Sequence, residues 1–270
     1  MHFVLNVIRS LLRFFGVEIV KSLTLKDLET RANDRSSFDF KFITSLEPKH
    51  REKTLEIIAR SKSQLRQDLF VLSELNFKTE GFFVEFGATD GLTLNNTFLL
   101  ESDYRWTGIL AEPAKCWNES LLENRPNAIL DFACVWRETG VKVDFLETTE
   151  AELSTIASFG KGDLHRKSRK KSKTYQVNTV SMFDLLKAHN APNYIDYLSI
   201  DTEGSEYEIL SAFDFDSYKF GIITVEHNNT SNREKIFNLL SNLGYERKLS
   251  DLTKFDDWYV HTKINKDISN

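Results

Sequence analysis

The chain has 270 residues, 41% hydrophobic and 28% charged, with only 4 Pro and 11 Gly, so collagen-like and Pro/Gly-rich disordered classes are excluded and a self-sufficient core is expected. A net charge of −5 argues against a general nucleic-acid binder. The two cysteines, Cys116 and Cys134, show no metal-ligand spacing, which excludes a structural zinc framework and fits a reducing, cytoplasmic setting.

Residues 1–20, "MHFVLNVIRSLLRFFGVEIV", are interrupted by Arg9 and Arg13 and followed by no small-residue cleavage site, so neither a spanning helix nor a signal peptide is expected. Wound as a helix, His2, Asn6, Arg9, Ser10, Arg13 and Gly16 gather on one narrow face, with Phe, Leu and Ile on the rest. Such a helix suits peripheral contact with the inner face of a membrane; docking on the chain's own core or on a second copy stays open beside it. Residues 21–60 are charged and mostly helical in pattern, with "DLETRANDR" as a loop. Residues 1–60 therefore read as an N-terminal helical extension, and 61–270 as one α/β domain.

Within that domain "KSQLRQDLFVLSEL" (62–75) reads as a helix, after which the pattern alternates. The strands are "GFFVEFGA", "WTGILAEP", "NAILDFACVW", "VKVDFLE", "YIDYLSID" and "FGIITVEH". "TLNNTFLLESD", "CWNESLLEN", "VSMFDLLKAH", "EYEILSAF" and "NREKIFNLLSNLG" are the helices, the last ended by Gly244. Such alternation predicts a mostly parallel sheet with helices on both faces. "YERKLS" and "DDWYVHT" are too close in sequence for a crossover helix, so one antiparallel strand is expected near the end. The turn between them, "SDLTKFDD", should lie at the ligand face, where Trp258 would either pack in the core or stack on a sugar. The segment 161–173, "KGDLHRKSRKKSK", carries seven basic residues against Asp163; it reads as a solvated loop, with an anion-gripping lid as the functional alternative.

Ligands of an open parallel sheet sit at the carboxyl ends of its strands. After the first strand comes "VEFGATDG", a G-x-x-x-G turn from Gly87 to Gly91 that contains Asp90 and is preceded by Glu85. A dinucleotide fold would show G-x-G-x-x-G there, aimed at a pyrophosphate. Carboxylates in the turn repel a diphosphate and suit a cofactor that carries positive charge, S-adenosylmethionine. Glu112 ends the second strand, 21 residues after Gly91, where a carboxylate can accept both ribose hydroxyls. Asp131, Ala133 and Cys134 end the third strand and are candidates for an adenine pocket.

"SQLRQDLF", "FFVEFGATDGLTLNNT", "GILAEP", "YLSIDTEGSEYEIL" and "ITVEHN" follow one another over roughly residues 61–260. In this order they resemble the FkbM-type methyltransferases; the acidic glycine turn and D-x-E-G-x-E are the most specific parts. The resemblance implies a class I, Rossmann-like methyltransferase fold with a mostly parallel seven-stranded sheet, one strand antiparallel. It also implies O-methyl transfer from S-adenosylmethionine to a hydroxyl-bearing acceptor, a carbohydrate such as a polysaccharide sugar. That Ser63, Gln64, Gln67 and Asp68 fold over the cofactor rests on the resemblance alone.

Removing a proton from a sugar hydroxyl calls for a base or a metal ion. The fourth strand ends at Asp201, followed by Glu203 and Glu206, and the fifth at Glu226, followed by His227 and Asn228. His227 is the natural general base, with Asp201, Glu226 and Glu203 as its acidic partners; Asp201 also reaches the cofactor side. A divalent ion held by Asp201, Glu226 and His227 is the alternative. The metal-free reading is favoured, because Glu226-His227 stands where metal-dependent relatives of this fold carry Asp-Asn. An NAD-linked oxidoreductase and an inactive interaction module are the rival functions.

Overall fold

A computed structural model describes residues 22–160 and 164–264. Residues 1–48 and 49–270 form two compact units, and the amphipathic stretch 1–20 lies outside the described residues. In the first unit helix α1 (Ser22–Ser45) runs through "DLETRANDR", where a loop is expected from the charged, Asn- and Asp-containing sequence. The stretch holds neither Pro nor Gly, and the modest propensity penalties of Asp, Asn and Thr do not stop a helix. Among the described residues no helix is long and apolar enough to cross a membrane.

Helix α2 (Pro48–Ile57) begins on a proline, whose missing N–H costs nothing in a first turn. It is followed by α3 (Gln67–Glu74), β1 (Phe82–Phe86), α4 (Phe98–Tyr104), β2 (Thr107–Ala111), α5 (Asn118–Asn124) and β3 (Ile129–Asp131). Strands β4 (Cys134–Trp136), β5 (Lys142–Thr148), β6 (Thr155–Ile156) and β7 (Ser172–Ser181) come next. The chain then forms α6 (Met182–Ala188), β8 (Tyr194–Ile200), α7 (Glu206–Ser211), β9 (Lys219–Glu226), α8 (Asn232–Asn242), β10 (Tyr245–Lys248) and β11 (Asp256–His261).

Seven strands pair in the order β10-β11-β9-β8-β1-β2-β3, and β11 alone runs against the rest. The expected sheet, with its one reversed strand, is therefore present. Its central strands are apolar on both faces because helices cover both. Val84, Phe86, Leu198, Ile200, Ile223 and Val225 point to one side, where Leu185, Leu210 and Leu240 of α6, α7 and α8 meet them. Phe83 and Glu85 alternate to the other side of β1, so the acid faces away from that core. Trp258 is fully buried, its ring 4.6 Å from that of Phe70.

The sequence pattern does not reveal the second sheet, β4-β7-β5-β6. "NAILDFACVW" is two strands: β3 joins the main sheet, and an Asp131 carboxylate that accepts from the Ala133 N–H at 2.8 Å turns the chain into β4. From residue 164 on, the basic segment is also more regular than expected. Leu164–Lys170 forms a 3-10 helix, and β7 pairs with β5 over seven residues, from Lys142–Asn178 to Thr148–Ser172. Phe145, Trp136, Ile156 and Val177 form a small core of their own beneath this sheet.

Candidate functional site

A cavity of about 600 Å³ opens at the carboxyl ends of β1, β2, β8 and β9 and is roofed by residues 150–156 of the second sheet. Its lining carries eight carboxyl groups: Glu85, Glu112, Asp201, Glu203, Glu226 and Asp256 on the walls, Glu150 and Glu152 in the roof. Among the described residues no Lys, Arg or His side chain lines it.

Glu85 is buried, and its two oxygens accept from the Asn96 N–H at 3.0 Å, Asn95 Nδ2 at 2.9 Å and Thr97 Oγ1 at 2.6 Å. Burial still pushes its carboxyl upward, against the pull of Arg125. That arginine is itself 1% exposed and donates to Asn95 Oδ1, Thr97 Oγ1 and the Gly91 carbonyl while pairing with Glu101 at 2.6 Å. The "NNT" segment is thus clamped between an acid and a base. Its capping residues predict a helix start there; the helix begins only at Phe98 because these side chains hold the backbone elsewhere.

The two turn glycines have different uses. Gly87 lines the cavity with φ +80, and a Cβ there would lie 1.8 Å from the Asp201 carbonyl oxygen. Gly91, at φ +74, would drive a Cβ into Leu121 and Arg125 at 2.7 and 2.5 Å, so it serves packing away from the cavity. Asp90 is off the wall as well: its carboxylate closes the turn by accepting from the Leu92 and Thr93 N–H groups.

Glu112 stands on the wall, as its strand-end position requires. Its oxygens accept from the Thr89 and Ala114 N–H groups at 2.9 and 2.8 Å, yet burial raises its carboxyl to about 7. Asp131 and Ala133 do not reach the cavity. Asp131 holds Nε2 of His189 at 2.8 Å, and Cys134 with Val135 lines the wall in their place.

Asp201, Glu203 and Glu226 come together, each offering an oxygen within 4.8 Å of the others. Burial and the charge of Glu206 raise Asp201 to about 7; burial and the charge of Asp201 push Glu226 well above the usual carboxylate range. Asn228 Nδ2 donates to Glu226 at 2.7 Å and to Glu203 at 3.3 Å. Arg169, from the basic segment, is 4% exposed and reaches Glu203 Oε2 at 2.8 Å while its Nε donates to the Leu153 carbonyl in the roof. Glu206 turns back instead to the Thr202 and Gly204 N–H groups at the start of its helix.

His227 is not brought to the cavity, which removes it from both the base and the metal set expected from sequence. Side chains alternate along a strand, so with Glu226 facing in, His227 turns to the other side. Its Nδ1 accepts from the Asn229 N–H at 3.0 Å, and Nε2 lies 3.7 Å from Asp257 Oδ1. Of "SQLRQDLF", Gln64 and Gln67 line the cavity; Asp68 is held by Ser61 Oγ and the Leu69 N–H.

Two functional candidates do not stand out in the sequence. Arg169 lies inside a charge run that reads as solvated. Asp256 sits in the turn expected at the ligand face, but nothing in "FDDWYV" separates it from Asp257. The structure does: Asp256 lines the cavity, whereas Asp257 pairs with Arg233 and Arg247.

A family model described as a methyltransferase FkbM domain matches residues 85–247. The chain belongs to the FkbM methyltransferase family. No curated protein matches this family member. Solved structures that do include fibrillarin of Aeropyrum pernix with natively bound S-adenosyl-L-methionine, 13% identical over 73% of this chain and 74% of that one, TM-score 0.39. A human methyltransferase 10 domain containing protein is 10% identical over 73% and 79%, TM-score 0.42. Precorrin-6y C5,15-methyltransferase of Geobacter metallireducens is 13% identical over 67% and 71%, TM-score 0.38.

Proposed function

We propose that this FkbM-family methyltransferase transfers the methyl group of S-adenosylmethionine to a hydroxyl group, that of a sugar in a polysaccharide or other glycoconjugate. One observation carries the reading: among the described residues eight carboxyl groups and no basic side chain line the cavity. Such a wall disfavours a diphosphate and favours a ligand with a sulfonium and an ammonium group. On this reading Glu112 would accept the ribose hydroxyls, Gly87 would leave backbone room for the donor, and Cys134 and Val135 would offer adenine an apolar face; all four line the cavity. Gln64, Asn96 and Asn228 supply amide groups that suit a hydroxyl-rich acceptor. Action at the inner face of a membrane is part of the same proposal and rests on residues 1–20.

The donor, when bound, supplies an electrophilic methyl carbon. The protein's task is to align a hydroxyl oxygen with it, a contribution of about 7–11 kcal/mol in well-oriented systems, and to receive the proton. Calorimetry with S-adenosylhomocysteine and with NAD should show binding of the first and none of the second; binding of NAD alone would overturn the proposal. An inert module would be indifferent to Asp201→Ala, whereas an enzyme should lose turnover at least about 100-fold.

Metal-free chemistry is favoured by Arg169, which already places a cation on Glu203, leaving Asp201 and Glu226 to share a proton. Prolonged treatment with EDTA should therefore leave activity unchanged. Loss of activity that added Mg²⁺ restores would assign the three acids to a metal.

A further inference from the structure

We propose that Asp256 receives the proton of the acceptor hydroxyl, and that the positive charge of the bound donor makes it ready to do so. The inference rests on the methyl-transfer reading of the cavity. β11 is the reversed strand, so its first residue lies beside the carboxyl end of β9, opposite Glu226. There Asp256 is 4% exposed and lines the cavity. Gln67 Nε2 at 2.9 Å and Trp258 Nε1 at 3.0 Å both donate to Oδ2 and fix the carboxyl plane. Oδ1 is buried with no hydrogen-bond partner among the described residues. A buried oxygen left without a partner is costly, and here a ligand hydroxyl can reach it.

Other acids are less suited. Asp201 and Glu226 hydrogen-bond to each other, and Glu203 pairs with Arg169. The oxygens of Glu85 and Glu112 are held by the turn residues that frame the site.

The titratable groups that face Asp256 are Asp201 and Tyr197 from β8, Glu226 opposite it on β9 and Asp257 from its own strand; Gln67 of α3 is neutral. Burial raises the carboxyl to about 7, and the charges of Asp201 and Asp257 act in the same direction. At neutral pH the donor-free cavity therefore holds a substantial fraction of Asp256 as the neutral acid. A sulfonium entering this desolvated space favours the ionised form, and the proton leaves to solvent. In the transfer the acceptor O–H bond breaks and its proton goes to Oδ1. The oxygen's electron pair forms the new O–CH₃ bond, and the S–CH₃ pair stays on sulfur. Sulfonium and carboxylate thus end as neutral thioether and neutral acid, which restores the protonation state the cavity has without the donor.

The test needs no acceptor. Calorimetric titration of the full chain at pH 7, in two buffers of different ionisation enthalpy, counts the protons released on binding S-adenosylmethionine and S-adenosylhomocysteine. These ligands differ in the charge at sulfur. The cationic one should release more, and Asp256→Asn should cut that difference by about half a proton, as expected of a group half protonated at pH 7. The Asn oxygen can still accept from Gln67 and Trp258, so affinity for S-adenosylhomocysteine should stay within about threefold. Should Asp256→Asn fail to fold, Gln67→Leu serves instead: loss of a donor to the carboxylate should move the extra release to higher pH. An unchanged difference in these variants, or equal release by both ligands in the unaltered protein, would overturn the role of Asp256. Failure of either ligand to bind would instead defeat the donor reading beneath it.

Discussion

Between pH 5 and pH 8 the ligand-free protein should lose several kcal/mol of stability, seen as a falling urea midpoint at constant slope. Glu112, Asp201 and Asp256 are raised to about 7 by burial, against values near 4 in an unfolded chain. Between those two values the folded protein holds more protons than the unfolded one, so stability falls as pH rises. The loss is complete above the folded values. Each tenfold difference in proton affinity between folded and unfolded chain is worth about 1.4 kcal/mol, and because the acids share one cavity they titrate as a set rather than additively.

Asp257 acts in the opposite sense at lower pH. Burial pushes it up, but the hydrogen bonds from Arg233 and the nearby ring of His227 hold it well below the usual range. Its contribution is present above the unfolded value and disappears as pH falls further, so maximum stability should lie near pH 5. A cationic donor should stabilise the protein more at pH 8 than at pH 5; neutral S-adenosylhomocysteine should show no such trend. A flat stability profile would mean that the cavity acids remain ionised.

Gly87→Ala should be the most damaging single methyl group in the molecule. The added Cβ would sit 1.8 Å from the carbonyl oxygen of Asp201, and neither side can move. Phe86 and Ile200 are paired neighbours in adjacent parallel strands, and the Asp201 N–H donates to the Phe86 carbonyl at 3.1 Å. Relief would require parting β1 from β8 in the middle of the sheet. The expected result is a loss of more than about 3 kcal/mol, a melting temperature lower by roughly 10 °C, and no binding of S-adenosylhomocysteine. Gly140 provides the control: it too has positive φ, +84, but a Cβ there meets nothing within 4 Å. Gly140→Ala should cost only the backbone penalty of about 1–2 kcal/mol. Equal damage at both positions would show that backbone strain, not the close approach of strands, makes Gly87 necessary.

Much of the site is legible because strand ends are local events. A run such as "YLSID" announces both its strand and the residue that emerges from it, so Glu85, Glu112, Asp201 and Glu226 can be read from sequence as strand-end acids, and all four line the cavity. Residues beside those ends are harder. His227 and Glu226 are adjacent in sequence and face opposite ways, and only the pairing of β9 with β8 and β11 decides which one faces the cavity. Asp90 and Asp131 have the right residue type in the right turn, yet each is satisfied by a nearby N–H group.

From the sequence alone follow the alternation of strands and helices, the reversed last strand and the acids at the strand ends. These depend on periodicity, turn chemistry and charge, which act over a few residues. The tertiary structure decided the second sheet, the descent of Arg169 from a charge run to Glu203, and the choice of Asp256 over Asp257. Each joins residues far apart in the chain, Gln67 to Asp256 by 189 positions, and the energy of such contacts exists only once the intervening chain has folded.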